Sequence, residues 1–249
     1  MQKQSFVERL ALKMLRTVSP EWRARTELFR EPYHGWMNWQ SGLGQGAHLL
    51  YAIVRLVQPQ VIVETGSARG YSTCSMALAC RDNDRGKVFA IDPHVVNEWT
   101  DVGTAGQTLP FLRDRLRSYD LERRCEIIRA TTDQAVGTWN RPIDLLFIDG
   151  DHSADGVRID FEGFERWLTP EALVIFHDSA WEHDRPWSDY RNENWYREDM
   201  GVPAYLRALT ERGYQSVTFL PVPGLTVMHR QPGGFDFLAR GAQQLAATR

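Results

Sequence analysis

Short apolar runs alternate with amphipathic stretches along most of the chain. Runs such as Val61–Thr65 and Ile143–Ile148 are rich in β-branched and aliphatic residues, which is typical of buried parallel strands. The predicted strands cover residues 61–65, 87–91, 125–129, 143–148, 172–176, 216–220 and 225–229, and the predicted helices cover residues 47–57, 71–80, 109–121, 154–168 and 203–213. This alternation predicts a layered α/β sheet.

The helix predicted over residues 154–168 carries its apolar residues on one side. Val157, Phe161, Phe164 and Leu168 recur at helical spacing, so they would share the face that packs against the sheet. We therefore expect this helix to follow the fourth strand directly and to cover one face of the sheet.

The first predicted strand ends in an acid and a turn that contains two glycines. After Val61–Thr65 the chain runs through Gly66, Ser67 and Gly70 into a helical pattern. Glycine lets a ligand approach the backbone closely, and a helix presents unpaired N–H groups at its start. This arrangement predicts a loop that binds a nucleotide cofactor, although an ordinary strand-to-helix turn has the same local pattern.

The spacing of this loop differs from that of dinucleotide-binding loops. Ala68 and Tyr71 stand where the G-x-G-x-x-G pattern has its second and third glycines, and Glu64 ends the strand. A carboxylate there would repel a pyrophosphate, whereas it would attract the amino group and sulfonium of S-adenosylmethionine. Asp92 ends the second predicted strand and is placed to accept hydrogen bonds from ribose hydroxyls. S-adenosylmethionine is therefore the cofactor that we expect.

With these residues the chain resembles the class I S-adenosylmethionine-dependent methyltransferases over roughly residues 44–230. Within them it is similar to a bacterial branch of sugar O-methyltransferases and cephalosporin hydroxylase-like proteins. The motifs that carry this likeness are Phe147-Ile-Asp149-Gly-Asp151-His152, His177-Asp178 and residues 224–230. The resemblance implies a Rossmann-like three-layer sandwich with a mostly parallel seven-stranded sheet, in which the last hairpin places one strand antiparallel.

The same motifs assign the candidate cofactor residues. We expect Glu64, Gly66 and Asp92 to hold S-adenosylmethionine. Further candidate contacts are Ser67, Gly70, Ser72, His94, Thr131 and Asp149.

Acidic and imidazole side chains follow the fourth and fifth predicted strands. Asp149, Asp151 and His152 come after one, and His177 and Asp178 after the other. Adjacent parallel strands end at the same edge of a sheet, and oxygen-rich sites there suit a hard divalent cation. The resemblance implies Asp149 and Asp178 as metal ligands, with His177 in place of an acid. Mg²⁺ is the expected ion; the imidazole raises the case for Mn²⁺, or for His177 as a substrate contact.

These residues favour methyl transfer to a hydroxyl group. An alcohol is a poor nucleophile, so a cation that stabilises the alkoxide and a base that takes its proton would both help. Asp151 is the first candidate base, since similar sugar methyltransferases use the acid two residues after the metal-binding one, and His152 is the second. We expect an O-methyltransferase that acts on a small hydroxylated acceptor, a sugar or a glycosylated metabolite.

Other functions fit parts of the same pattern. Asp149-Gly can form a tight turn without catalysis, and His177 and Asp178 can cap a loop or helix. A metal-independent N- or O-methyltransferase needs no ion. An iron-dependent hydroxylase would use His152, His177 and an acid, although it has no need of the cofactor loop. A non-catalytic cofactor-binding protein would follow if the metal site had decayed through His177.

The regions around this domain have less specific patterns. Residues 1–43 predict an N-terminal helical extension that caps the cofactor or forms a homodimer contact, and residues 231–249 predict a C-terminal tail. The insertion at residues 179–200 mixes aromatic with hydrogen-bonding side chains, which suits an acceptor pocket or a subunit contact. We favour the pocket, because this segment leaves the end of a strand directly.

Composition narrows the partners and the compartment. A chain of 249 residues with 43% hydrophobic and 24% charged residues suits one globular catalytic domain. The net charge of -3 and the scattered basic residues give no general affinity for nucleic acid. The 3 cysteines lack metal-ligand spacing and are expected to be reduced. No membrane-length apolar run or secretory signal is apparent, so we expect a cytoplasmic enzyme.

Overall fold

The computed structural model describes residues 24, 25, 28, 41–95, 108–183, 185–193, 196–220 and 223–230. Most of the predicted N-terminal extension and all of the predicted C-terminal tail lie outside these residues. Along the described chain the elements are α1 (Gly46–Val57), β1 (Val61–Thr65), α2 (Tyr71–Asp82), β2 (Lys87–Ile91), α3 (Thr108–Ser118), β3 (Cys125–Ile128), α4 (Thr132–Thr138), β4 (Ile143–Ile148), α5 (Ala154–Glu165), β5 (Leu168–His177), α6 (Val202–Glu211), β6 (Gln215–Phe219) and β7 (Leu225–His229).

The strands of the described chain form one seven-stranded sheet in the order β3-β2-β1-β4-β5-β7-β6. The first five in this order pair in parallel, and β7 pairs antiparallel with both β5 and β6. The predicted fold class is confirmed. The strand order reverses between β1 and β4, and the crevice outside the carboxyl ends at such a switch point is where open α/β sheets bind ligands.

The inner strands of the sheet are buried on both faces by helices, whereas the edge strand β6 is exposed. Side chains alternate between the two sides of a strand, so Leu145 and Phe147 of β4 pack with α1 and α2, whereas Leu146 and Ile148 pack with α5. Burial on both faces explains why the parallel strands read as continuous apolar runs. It also holds the strand ends, and the loops that follow them, in fixed positions.

Two predicted helices end three residues too far along the chain. The helix predicted over residues 109–121 ends at Ser118. The helix predicted over residues 154–168 ends at Glu165, and Leu168 begins β5, where it pairs with Ile143 of β4. Leu168 continues the apolar spacing of the helix, but a single apolar residue fits either period. Pairing with β4 decides its conformation.

Helix α4 was not predicted, although the sequence contains a signal for its N-terminus. Thr131 accepts a hydrogen bond from the Gln134 backbone N–H, and the Gln134 side chain accepts one from the Thr131 N–H, which is a capping box. The helix is short and only Ala135 is buried in it, so it shows no apolar stripe. The threonine that we expected at the cofactor is the cap of this helix.

Two further features of the described residues bear on the expected class. No helix among them combines the length and the apolar character that a membrane span needs. Cys74, Cys80 and Cys125 are buried and form no disulfide. Burial raises the pKa of the Cys80 thiol to about 12, so this thiol is unreactive at neutral pH.

Candidate functional site

The loop after β1 is shaped by contact with the loop after β4. Gly66 has a φ of +82°, and a Cβ atom there would lie 2.0 Å from the Asp149 carbonyl oxygen. Gly70 has a φ of +84° and packs against Leu112 of α3. Both glycines are therefore required by the protein itself, whereas the sequence had suggested the approach of a ligand. Ser67 between them is buried, and its hydroxyl has no hydrogen-bond partner among the described residues.

Glu64 is buried at the end of β1 beneath the first turn of α2. Its carboxyl group accepts hydrogen bonds from the Ser72 hydroxyl and, at 2.6 Å, from the Thr73 hydroxyl. Burial raises the pKa of Glu64 to about 8, although the two hydrogen bonds lower it. Ser72, a predicted cofactor contact, thus binds the acid in this structure.

Asp92 connects the loops that follow β1 and β2. Its carboxylate accepts hydrogen bonds from the backbone N–H of Ala68 at 2.8 Å and of His94 at 2.6 Å. Ala68 and His94 have φ values of 41° and 51°, a left-handed conformation that costs energy without glycine. His94 is buried, and its Nδ1 lies 3.1 Å from the Thr108 hydroxyl. Asp92 is placed at the crevice and pairs the two loops that would enclose a cofactor.

The ends of β4 and β5 bring four side chains together, which we call the acid–imidazole cluster: Asp149, His152, His177 and Asp178. One potential ligand atom from each lies within 4.8 Å of the others. His177 Nδ1 is 2.8 Å from Asp149 Oδ1 and 2.9 Å from Asp178 Oδ2. His152 Nε2 is 3.2 Å from Asp178 Oδ2 and 3.4 Å from Asp149 Oδ1. The predicted metal residues do converge.

The cluster pairs two acids with two imidazoles in a nearly closed space. Its side chains are only 6% to 18% exposed. Burial opposes ionisation of all four groups, but the opposite charges outweigh it: the pKa values of Asp149 and Asp178 are lowered, and those of His152 and His177 are raised. Without another ligand the four groups therefore neutralise one another.

The donor set also suits a divalent metal ion. Two imidazole nitrogens and two carboxylate oxygens are a common donor set for transition metals. With metal–ligand distances of about 2.1 Å, neighbouring donors of an octahedral site lie roughly 3 Å apart. The four nitrogen–oxygen distances between the imidazoles and the acids, 2.8 to 3.4 Å, match that spacing.

Asp151 lies beside the acid–imidazole cluster rather than in it. It is exposed, and its carboxylate accepts a hydrogen bond from the Ser153 backbone N–H at 3.0 Å, before the start of α5. His152, the second candidate base in the sequence, is the one that faces the acids. The two residues are adjacent in one loop, so it is the conformation of the loop that turns His152 toward the acids and leaves Asp151 outside the cluster.

One buried acid near the site was missed. Asp160 of α5 accepts hydrogen bonds from the Thr65 hydroxyl at 2.9 Å and from the Thr132 hydroxyl, and a Cβ on Gly150 would lie 2.5 Å from its Oδ2. Burial raises the pKa of Asp160 to about 6. Asp160 therefore packs against the loop after β4 at Gly150. The sequence did contain a signal for Asp160, because this acid stands next to Phe161 on the apolar face of the predicted helix.

The insertion at residues 179–200, which we call the aromatic insertion, packs largely against itself. Trp181 lies edge-on to Tyr190 with ring centres 5.3 Å apart, and Trp187 stacks on Tyr196 at 5.0 Å. The Trp181 indole N–H donates a hydrogen bond to Asp178 Oδ1 at 2.7 Å. The aromatic insertion is therefore joined directly to the acid–imidazole cluster.

Comparison with protein families gives a match over the part of the chain that carries the site, which is slightly less than half of its length. Residues 63–179 match a family model described as a methyltransferase domain. This range begins within β1 and ends just after β5, so it contains Glu64, Asp92 and the acid–imidazole cluster. The part of the chain that builds the site is therefore similar to methyltransferase domains.

Comparisons with individual proteins support the fold. A curated relative, the uncharacterised protein y4gI of Sinorhizobium fredii, is 28% identical over 130 residues; the match covers 51% of this chain but only 14% of that protein. Among solved structures, the SAH-bound methyltransferase PaMTH1 of Podospora anserina has a TM-score of 0.61 at 15% identity, covering 93% of this chain and 100% of that chain. The O-methyltransferase TomG of Streptomyces achromogenes, solved with SAM, has a TM-score of 0.58 at 15% identity, with the same coverage.

Proposed function

We propose that this chain is an S-adenosylmethionine-dependent O-methyltransferase that uses a divalent metal ion to methylate a hydroxyl group of a small polar acceptor. The observation that carries the proposal is the direct contact between the loop after β1 and the acid–imidazole cluster. Gly66 of that loop lies against the Asp149 carbonyl, at the switch point of the sheet. A cofactor on this loop would present its reactive group beside the cluster.

The residues of the loops after β1 and β2 suit S-adenosylmethionine. Asp92 is 15% exposed at the crevice and can accept hydrogen bonds from ribose hydroxyls. Glu64, once deprotonated, would offer negative charge to the cationic cofactor, and the unpartnered Ser67 hydroxyl would offer a further hydrogen bond. The bound cofactor would supply an electrophilic methyl group. Gly66, Gly70, Ser72, His94 and Thr131 stay as predicted contacts that act through the shape of the loops.

The acid–imidazole cluster would hold the metal ion and orient the acceptor. Asp149, His177 and Asp178 are the proposed ligands, and the ion would supply positive charge that stabilises a developing alkoxide. The His177 imidazole among these ligands favours Mn²⁺ or another transition metal over the Mg²⁺ expected from the sequence, because nitrogen donors suit softer ions.

His152 is the group that we propose takes the proton from the acceptor hydroxyl. It lies between Asp178 and Asp149, and their charges would stabilise the imidazolium that forms when His152 takes the proton. Asp151 on the same loop is the alternative base. Its carboxylate is exposed and lies outside the acid–imidazole cluster.

The aromatic insertion supports a sugar or glycosylated metabolite as the acceptor. It leaves β5 next to the acid–imidazole cluster, and its indole and phenol rings are of the kind that pack against sugars. The polar edges of Trp181, Trp187 and Tyr190 bond within the protein, so the ring faces would make the contact. A homodimer contact through residues 1–43 stays a prediction.

A calorimetric titration tests the cofactor and the metal together. The purified protein is titrated with S-adenosylmethionine, with and without Mn²⁺ or Mg²⁺, and with NAD as the control. We expect S-adenosylmethionine to bind and NAD not to bind, after which hydroxylated sugars are tried as acceptors. Failure to bind S-adenosylmethionine would refute the proposed function.

A second candidate is an iron-dependent hydroxylase, which the cluster itself favours. His152, His177 and one of the two acids supply the two-imidazole, one-carboxylate donor set of such enzymes. Binding of Fe²⁺ with consumption of oxygen, in a protein that does not bind S-adenosylmethionine, would select this function. A metal-independent N- or O-methyltransferase would instead keep its rate in the presence of a chelator.

A further inference from the structure

Asp178 divides its two carboxylate oxygens between two different partners. Oδ1 accepts the hydrogen bond from the Trp181 indole N–H at 2.7 Å. Oδ2 lies 2.9 Å from His177 Nδ1 and 3.2 Å from His152 Nε2. The indole therefore selects the rotation of the carboxylate that directs Oδ2 into the acid–imidazole cluster.

The backbone of Asp178 does not hold this orientation by itself. Its φ of 54° is left-handed, a conformation that non-glycine residues adopt at a cost of about 1 to 3 kcal/mol. The residue also stands where β5 ends and the aromatic insertion begins. The contacts that select the rotamer of Asp178 are those of its two oxygens, with Trp181 on Oδ1 and the two imidazoles on Oδ2.

Trp181 is itself held firmly enough to provide that contact. Its ring packs edge-on against Tyr190 and Trp187, with centres 5.3 and 5.9 Å away. Tyr190 is buried, and its hydroxyl donates a hydrogen bond to the Trp181 carbonyl at 3.2 Å. The indole N–H thus belongs to a packed aromatic group rather than to an isolated side chain.

The far end of the aromatic insertion binds the other loop of the cluster. The Gly201 N–H donates to the His152 carbonyl at 2.8 Å, and the Ala154 N–H donates to the Asp199 carbonyl at 3.1 Å. The insertion therefore contacts Asp178 at its start and the His152 loop at its end. Both contacts reach residues of the acid–imidazole cluster.

We propose that Trp181 is a positioning residue for the metal site, and that the aromatic insertion orients the acid–imidazole cluster through it. The indole N–H fixes Asp178 so that one oxygen is available to the metal ion. Groups that orient metal ligands in this way typically contribute about 10- to 100-fold in metal affinity. This inference rests on the metal-assisted function proposed above.

A matched pair of substitutions tests it, since two indoles of the same aromatic group donate hydrogen bonds to different acceptors. Trp181 donates to Asp178, whereas the Trp187 indole N–H donates to the Arg197 carbonyl at 2.8 Å, away from the cluster. Trp181→Phe and Trp187→Phe each remove one indole N–H and keep an aromatic ring. Calorimetry then gives the Kd of each protein for Mn²⁺ and, separately, for S-adenosylmethionine.

We expect Trp181→Phe to raise the Kd for Mn²⁺ by about 10- to 100-fold and to leave the Kd for S-adenosylmethionine unchanged. Trp187→Phe should leave both constants close to those of the parent protein. Equal losses in the two variants would show a purely structural role and overturn the inference, as would an unchanged Mn²⁺ affinity in Trp181→Phe or a parent protein that binds no Mn²⁺. A parent protein that binds Mn²⁺ but not S-adenosylmethionine would refute the proposed methyl transfer alone.

Discussion

The acids at the ends of β1 and β2 and those at the ends of β4 and β5 are bound in different ways. Glu64 accepts hydrogen bonds from two hydroxyls, and Asp92 accepts them from two backbone N–H groups. Asp149 and Asp178 instead face two imidazoles. All four acids follow strands of one sheet, so their position alone does not distinguish them.

This difference gives the two pairs of acids different roles: the first pair maintains the shape of the loops, and the second pair can take part in a reaction. Hydroxyl and backbone donors stay with the chain, so the first pair of acids fixes the loops that would enclose a cofactor. Imidazoles can lose a proton or bind a metal ion, so the second pair can exchange its partners during a reaction. The two regions should therefore respond differently to substitution, and four predictions follow from the largest expected effect to the smallest.

Gly66→Ala should have the largest effect, because Gly66 is where the two regions touch. The new Cβ would lie 2.0 Å from the Asp149 carbonyl oxygen, a backbone atom that cannot rotate away, and the φ of +82° would be strained. We expect the free energy of unfolding to fall by about 3 kcal/mol or more. Chemical denaturation measures it. Gly137→Ala in α4 is the control: no described atom lies within 4 Å of that Cβ, so stability should rise slightly.

Asp149→Asn and Asp92→Asn should separate catalysis from cofactor binding. Asp149→Asn removes a ligand charge, so we expect methyl transfer to fall about 10²-fold or more while S-adenosylmethionine affinity is nearly kept. Asp92→Asn weakens the loop contacts and the ribose acceptor, so the Kd for S-adenosylmethionine should rise about 10-fold with metal affinity unchanged. Turnover assays and calorimetry measure both. If Asp149→Asn alone abolished cofactor binding, the site would be misplaced.

His177→Glu should change the preference of the metal site. Replacement of an imidazole by a carboxylate makes the donor set harder, so we expect the ratio of Mn²⁺ to Mg²⁺ affinity to fall about tenfold, or ~1.4 kcal/mol. His183→Glu makes the same change at an exposed position of the aromatic insertion, outside the cluster, and should leave the ratio unchanged. Competition titrations with both ions decide the matter, and an unaltered ratio in His177→Glu would argue against His177 as a ligand.

Glu64 should release most of one proton when S-adenosylmethionine binds at pH 7. Its pKa of about 8 keeps it largely protonated in the protein alone, and a cationic ligand nearby would lower that pKa. Calorimetry in two buffers with different ionisation heats measures the released proton. The Glu64→Gln variant should release none; if it released as much as the parent protein, the proton would come from another group.

The raised pKa also means that Glu64 favours the folded state most at low pH. The contribution of Glu64 to the free energy of unfolding should decline as the pH rises from about 4.5 to about 8.

Most of the strands could be predicted from sequence because they are buried on both faces. The predicted bounds of β1, β2, β4 and β7 agree with the structure to the residue. Helix α4 escaped because it has one buried residue and hence no apolar period, although its capping box was readable. Leu168 was assigned to a helix because one apolar residue at the boundary satisfies both periods.

The location of the candidate site could be predicted from the sequence, but the contacts between its side chains could not. The acids at the strand ends followed from the pattern, since parallel strands end at one edge of the sheet. Whether Asp151 or His152 joins the acid–imidazole cluster did not, because adjacent loop residues point apart and the loop's path depends on its pairing with residues 199–201. The support from Asp160 and Trp181 was equally hidden, since each acts on a residue of another element or loop.

The alternation of apolar periods was enough to establish the α/β sheet, the strand ends and the residue types that collect there. These properties are local, because periods of two or 3.6 residues are set by neighbours along the chain. The partners of each functional group were decided only by the tertiary structure: His177 meets Asp149 across 28 residues, and Gly66 meets the carbonyl of that same Asp149. Such contacts depend on how strands are ordered and loops are packed, and no short stretch of sequence contains that information.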